Sequence, residues 1–499
     1  MTADPIVHVG PGTARGAVRD GVASFLGLPY AAAPTGALRF GLPRPTFWQG
    51  ERDARDFGPT APQPPTDLPG GLDLKGVVGP GWVPGEDYLS ANVWTPDPSA
   101  AGLPVMVFLH GGAFTGGAAR TPGYDGTAFA RDGVVLVTLD YRIGAVGFAD
   151  LAGAPANRGL HDEIAGLRWV REHVEAFGGD PDNVTVFGES AGALSVGTLL
   201  AAAPGGLFRR AVSESGGASH ALTRAQAGVT TAALAAHLGV PATAEAFAGV
   251  PDETLVQAVA QVSRPPLDLR VDGVPDPNMG LSPLGPVIDG DLLHGQPVDA
   301  VRAGASAGVD LMVGNNAEEM NLYLVALPVP PVGEDGLRAA VGALHPDPDR
   351  VVDAYRAAGR GRDAGELLSA IGTDYMFAVP TARLADAHAP HPGGTWRYEF
   401  TWRSPAFEGR LGACHGLELP FVFDGVGRVD YGSLGVADDE ANRELAAATH
   451  AAWVAFARDG DPGWPRYTAE RPTVRRIDRR WRSTERADGP ERAVWDGVR

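Results

Sequence analysis

The chain has almost no cysteine and almost no lysine. Its one cysteine, Cys414, in 499 residues excludes an internal disulfide and any cysteine-rich metal site. Lys75 is the single lysine among 41 basic residues. Gly76 follows it directly, so the Gly-Lys-Ser/Thr ending of a phosphate-cradling loop is missing. A His-Glu-x-x-His zinc helix is missing too. No run of about 18 apolar residues is available to span a membrane. The opening MTADPIVHVGPGT lacks the basic and apolar regions of a signal peptide. Positive charge is also short. A net charge of −19 argues against nucleic acid as a partner, since that needs basic patches. These absences predict a cytoplasmic protein that binds no membrane; a monomer or small homo-oligomer that needs no metal, nucleotide or flavin is expected.

What is present is core-forming material. Hydrophobic residues make up 44% and charged residues 20%, enough to bury a large core. Short apolar runs at 105–110, 134–140, 183–187 and 310–314 read as buried strands. Between them, 163–177 carries apolar residues at helical spacing, and Gly178-Gly179 stops it. That alternation predicts an α/β fold, a large and mostly parallel central sheet flanked by helices. The Pro- and Gly-rich first hundred residues suit a small antiparallel N-terminal region. One domain over 1–499 is expected. The segments 61–87 and 265–290 are dense in Pro and Gly without periodicity and read as long functional loops, the first as a lid.

Two Gly-x-Ser-x-Gly runs occur, around Ser190 and Ser306. A nucleophile elbow needs a strand, a sharp turn and then a helix, with small residues flanking so that the strained backbone can pass. Ser190 meets each condition: VTVF precedes it, Gly188 and Gly192 flank it, and ALSVGTLLAAA follows. Ser306 has the order reversed, a helical pattern before and a strand after, so its glycines end a helix.

An active serine needs a base and a group that orients the base. Of the histidines that follow the strand-rich middle, His450 sits in an Ala-rich helix, while His345, His388 and His391 lie in Pro-rich connections and are expected to be solvated. His415, in the glycine-flanked loop LGACHGLELPF, is the candidate base. For the acid, Glu319 follows directly on a predicted strand, with Glu318 beside it as competitor. The turn LHGGAF (109–114) can present backbone N–H groups to an oxyanion.

These residues, in this order, resemble the type B carboxylesterases, the family of cholinesterases and bacterial para-nitrobenzyl esterases. FLGLPYAAAPTGALRFGLPRP (25–45), EDYLSANVW (86–94), HGGAF, DYRIGAVGF, FGESAG, GPVIDG, GNNAEE and HGLELPFVF all follow the family's sequence nearly end to end. The resemblance implies a serine hydrolase with Ser190, Glu319 and His415 as the triad. It puts the oxyanion donors on the N–H groups of Gly112, Ala113 and Ala191. It also implies an Arg39–Glu86 ion pair, and a substrate pocket that includes Phe114, Gly280, Ser282 and Leu322. Gly280 and Ser282 stand where acetyl-selective cholinesterases carry aromatics, so longer acyl groups are expected to fit. Two departures stand out: Tyr88 where secreted relatives have a disulfide cysteine, and Met320 where glycine usually follows the acid. The expected substrate is a small-molecule carboxylic ester. Aryl carbamates or amides are the alternative, and a non-catalytic binding protein on the same fold is the remaining reading.

Overall fold

The structure, a computed structural model, describes residues 4–66, 72–203, 205–264, 266–327, 330–485 and 488–499. Its centre is an 11-stranded sheet. In chain order the strands are β1 (Ala17–Arg19), β2 (Val22–Pro29), β3 (Ser90–Thr95), β4 (Leu103–Leu109), β5 (Val135–Leu139), β6 (Gly179–Glu189), β7 (Arg210–Glu214), β8 (Asp310–Asn316), β9 (Thr395–Phe400), β10 (Thr473–Ile477) and β11 (Arg482–Glu485). Across the sheet they run β11-β10-β9-β8-β7-β6-β4-β5-β3-β2-β1. From β5 to β10 every neighbouring pair is parallel, and antiparallel pairs close both edges. A separate sheet of three strands, Ile6–Val9, Gly12–Arg15 and Gly50–Asp53, forms the N-terminal region.

The central strands are apolar on both faces because both faces are covered. Successive residues of β4 divide between two cores. Val105, Val107 and Leu109 pack on one side with Ile164, Leu167 and Val196. Met106 and Phe108 pack on the other with Phe423, Trp453 and Phe456. The helices Arg158–His173 and Ala191–Ala202 lie over the first face, and Glu440–Asp459 over the second. The 163–177 helix of the sequence reading is the latter part of Arg158–His173 plus a 3-10 turn that ends at Gly178 with φ 85°.

Three expectations are corrected. Arg39 does not pair with Glu86. Its guanidinium meets Asp252 at 2.5 Å and donates to the carbonyls of Phe247, Ala248 and Val250 at 3.3, 3.1 and 2.6 Å. Asp252 opens one helix and those carbonyls close the preceding one, a junction whose partial charges suit a cation and a carboxylate. His345 and His388 are buried rather than solvated. His388 Nδ1 lies 2.8 Å from Thr395 Oγ1 at the start of β9. Pro-rich flanks misled here because His388 ends the helix Val379–His388, while His345 packs its ring on Trp495, with centroids 5.7 Å apart. Met320, by contrast, needs no glycine, since its φ of −68° is an ordinary right-handed value.

Candidate active site

The parallel strands bring the candidate residues to one sheet edge, because each lies in a connection that leaves a strand's C-terminal end. Ser190 follows β6, the glycine turn follows β4, Glu319 follows β8, and His415 lies in the connection between β9 and β10.

The elbow explains its own glycines. Ser190 sits at φ 56°, ψ −121° between β6 and the helix Ala191–Ala202. A Cβ on Gly192 would stand 1.9 Å from the Leu109 carbonyl oxygen, and one on Gly188 would stand 2.6 Å from the Gly192 carbonyl carbon. Both positions exclude any side chain. Ser306 lies in a turn after the helix Pro297–Arg302 and before β8, well apart from any elbow.

The serine hydroxyl donates to His415 Nε2 at 2.8 Å, and His415 Nδ1–H donates to Glu319 Oε2 at 2.7 Å. The second Glu319 oxygen accepts the Asn316 N–H at 2.6 Å. Glu319 is fully buried. Glu318 points elsewhere: it accepts the Ala413 N–H at 3.0 Å and pairs with Arg403. His450, in its helix, is buried against the Val422 carbonyl at 2.7 Å. Such a chain of contacts can move a proton from the serine to the imidazole and stabilise the resulting charge.

Around it, Gly112, Ala113 and Phe114 have φ of 116°, 54° and 57°. Among the described residues the N–H groups of Gly112, Ala113 and Ala191 donate to no acceptor. Three donors beside a nucleophile can receive an oxyanion. Phe114 is buried on Phe148, with ring centroids 4.7 Å apart. Ser282 Oγ lies 2.6 Å from the Ala113 carbonyl. Gly280 has φ 73°, and a Cβ there would meet Pro266 at 2.9 Å, so an aromatic at 280 would be strained. Leu322 is half-buried against the core on the Phe108 side of the sheet.

Two groups at the site escaped the sequence reading. One is apolar: Phe377 and Tyr323 stand 4.7 and 5.7 Å from the His415 ring. They join Met279, Leu281, Leu324, Met320 and Met376 in one cluster. Phe377 comes from a π-helical turn, Asp374–Ala378, a deviation frequent at functional sites, and no local motif marks it. The other is Glu189, inside the Ser190 motif itself. It is buried, with Oε1 3.2 Å from His415 Nε2.

Glu189 shapes the electrostatics. Burial pushes its carboxyl up to about 7 and that of Glu418 up to about 8. Burial pushes the His415 imidazole down, but Glu189, then Glu319, then Glu418 outweigh it and raise it from 6.5 to about 9. Protonated His415 cannot accept the serine proton, so activity falls as pH drops through that value. Glu189→Gln removes the strongest attraction and is expected to move the acid limb of kcat/KM down towards 6.5. A pH profile from about 5 to 10.5 for both proteins checks this; an unmoved limb would assign the pull elsewhere.

A parallel sheet in this strand order, with its serine raised behind the central strand, is the α/β-hydrolase fold, and the chemistry it houses here is that of a serine hydrolase. The carboxylesterase family model matches residues 3–344 and 347–494. The chain belongs to that family and is a carboxylic ester hydrolase. It is 37% identical over 483 residues to the para-nitrobenzyl esterase of Bacillus subtilis, covering 93% of each chain. It is 33% identical to the phenmedipham hydrolase of Pseudarthrobacter oxydans, covering 95% of each. Among solved structures, the carboxylesterase of Geobacillus stearothermophilus superposes with a TM-score of 0.85 at 34% identity, over 98% of this chain and 99% of that one. Among the described residues no helix is long and apolar enough to cross a membrane.

Proposed function

We propose that Ser190 is the nucleophile, His415 the general base and Glu319 the acid that orients it. The observation that carries this is the unbroken contact chain, 2.8 Å from the half-buried serine to the imidazole and 2.7 Å from the imidazole to the buried carboxylate. Ser190 Oγ attacks the ester carbonyl as His415 Nε2 takes its proton. The N–H groups of Gly112, Ala113 and Ala191 hold the oxyanion, and removing such a donor typically costs about 100- to 1,000-fold. His415 then gives the proton to the leaving alcohol, and the acyl-enzyme forms. Water enters, loses a proton to His415 and releases the acid. Labelling by a fluorophosphonate, located by peptide mass, tests the assignment; an adduct anywhere but Ser190 overturns it.

The substrates are small-molecule esters with acyl groups longer than acetyl. The apolar cluster beside His415 supports this, since Met279 and Met376 add flexible, adaptable surface. Each buried methylene is worth about 0.8 kcal/mol, or roughly fourfold. Para-nitrophenyl butyrate is therefore expected to show a higher kcat/KM than the acetate, and a preference for acetate would count against this pocket. Aryl carbamates form a second reading with the same triad, favoured by the phenmedipham hydrolase among the relatives. Turnover of one aryl group carried as ester, carbamate and anilide separates these.

The unit is one α/β-hydrolase domain over 1–499, a cytoplasmic monomer or small homo-oligomer, with 61–87 as its lid. Residues 67–71 of that segment lie outside the described residues. The base of the lid is tied without a disulfide: Thr60 Oγ1 donates to the Gly81 carbonyl at 3.1 Å and accepts the Val83 N–H at 2.8 Å.

A further inference from the structure

Ala113 and Phe114 hold a left-handed backbone, φ 54° and 57°, that residues with a Cβ rarely adopt. Such a conformation persists only where its surroundings over-determine it. Part of that constraint is local. The Gly112 carbonyl accepts the Thr115 and Gly116 N–H groups at 3.0 and 2.9 Å, and the Phe114 carbonyl accepts the Gly144 N–H at 2.6 Å. The rest comes from two distant loops.

Ser282, from the 265–290 segment, places its hydroxyl 2.6 Å from both the Ala113 and Leu284 carbonyls. Gln63, from the 61–87 segment, spans the Gly117 residue. Its Oε1 accepts the Gly117 N–H at 2.8 Å and its Nε2 donates to the Gly117 carbonyl at 2.9 Å. A third contact, 3.3 Å from Nε2 to the Ala61 carbonyl, fixes the amide in turn. Both side chains are buried. Tyr141 adds a bond at the start of the turn, its hydroxyl donating to the His110 carbonyl at 2.7 Å; among the described residues, Ser282 and Gln63 are the side chains from outside 110–117 that hydrogen-bond the backbone of 111–117.

The consequence lies in the Ala113 peptide planes. The N–H of Ala113 belongs to the plane shared with Gly112, and its carbonyl to the plane shared with Phe114. The Ala113 φ angle sets where its N–H points relative to the rest of the residue. Release of the carbonyl lets Ala113 relax towards negative φ, and the N–H swings away from Ser190. We propose that Ser282 and Gln63 are positioning residues that hold the oxyanion turn in its strained form. Ser282 thereby acts on the Ala113 peptide rather than only walling the acyl pocket. This rests on the oxyanion reading above.

Kinetics separate the two roles. A brace acts in the transition state, so Ser282→Ala should lower kcat about 10- to 100-fold, since misplacement by about an ångström has that scale of effect. The loss should be equal for para-nitrophenyl acetate, butyrate and hexanoate, with little change in KM. A trifluoromethyl ketone, whose hemiketal oxygen enters the same hole, should bind more weakly by a similar factor. Ser282→Thr keeps the hydroxyl and should recover most of the activity. Should Ser282→Ala fail to fold, Gln63→Met carries the same test from the other end of the turn. A loss that varies with acyl length and sits in KM would make Ser282 a pocket wall and overturn the brace. Full kcat in Ser282→Ala and Gln63→Met beside an inert Ser190→Ala would also overturn it, leaving the triad standing. Activity retained in Ser190→Ala would remove the reading beneath it as well.

Discussion

Ser190→Ala is expected to lower kcat for para-nitrophenyl esters by on the order of 10⁶-fold and to leave the thermal midpoint close to that of the parent. The first half follows from chemistry: among the described residues no other hydroxyl contacts His415 Nε2. The second follows from how the elbow is built. Ser190 occupies the N-cap position of the helix Ala191–Ala202, yet its side chain makes no capping hydrogen bond. The hydroxyl therefore supports the reaction and not the fold. The strained φ of 56° is held by the backbone, through the Ser190 N–H on the Glu214 carbonyl at 3.0 Å and the Leu194 N–H on the Ser190 carbonyl at 2.9 Å. Alanine inherits both. His415→Ala should cost about as much, and the double variant little more, because the pair acts as one unit. Ser306→Ala is the control. Its Oγ is buried in the turn before β8 with no hydrogen-bond partner among the described residues, and the variant should keep full kcat. Inactivation there, with Ser190→Ala active, would reverse the assignment.

The elbow was legible because its constraints are local. The two glycines, the β-branched run and the alanine-rich helix lie within about 20 residues, and each is required by a close approach that sequence spacing encodes. The strands were legible for a similar reason: burial on both faces leaves continuous apolar runs. What stayed hidden depends on the chain returning from far away. Phe377 reaches His415 from a π-helical turn with no motif of its own. Arg39 finds Asp252 across 213 positions, where the family resemblance implied Glu86. Ser282 was placed by alignment as pocket wall, while its hydroxyl is turned onto Ala113; a serine's rotamer is not written in its neighbours. Glu189 was in plain view inside the motif. Its burial, and so its effect on His415, comes from the Gly111 turn packed over it, where a Cβ would stand 2.8 Å from Glu189 Oε2.

Glu319→Gln is expected to cost about 10⁴-fold in kcat, or roughly 5.5 kcal/mol of barrier, and Glu318→Gln less than about threefold. The difference rests on which proton pattern each amide imposes. Glu319 receives the Asn316 N–H on Oε1 and the His415 Nδ1–H on Oε2. In a glutamine the oxygen must stay with Asn316, because two N–H groups cannot face each other. The amide nitrogen then points at His415 Nδ1 and donates to it. That forces the imidazole proton onto Nε2, where it opposes the Ser190 hydroxyl instead of accepting from it. The geometry survives and the tautomer is wrong. Glu318 carries no such duty. Its carboxylate accepts from the Ala413 N–H at 3.0 Å and meets Arg403 at the surface, with 27% of the side chain exposed. A glutamine keeps the acceptor for Ala413, and a solvent-facing ion pair is worth little, about 0–1 kcal/mol. Comparing kcat for both variants against the parent checks the assignment. Equal losses at the two carboxylates, or the larger loss at Glu318, would mean that Glu319 is not the carboxylate that orients His415.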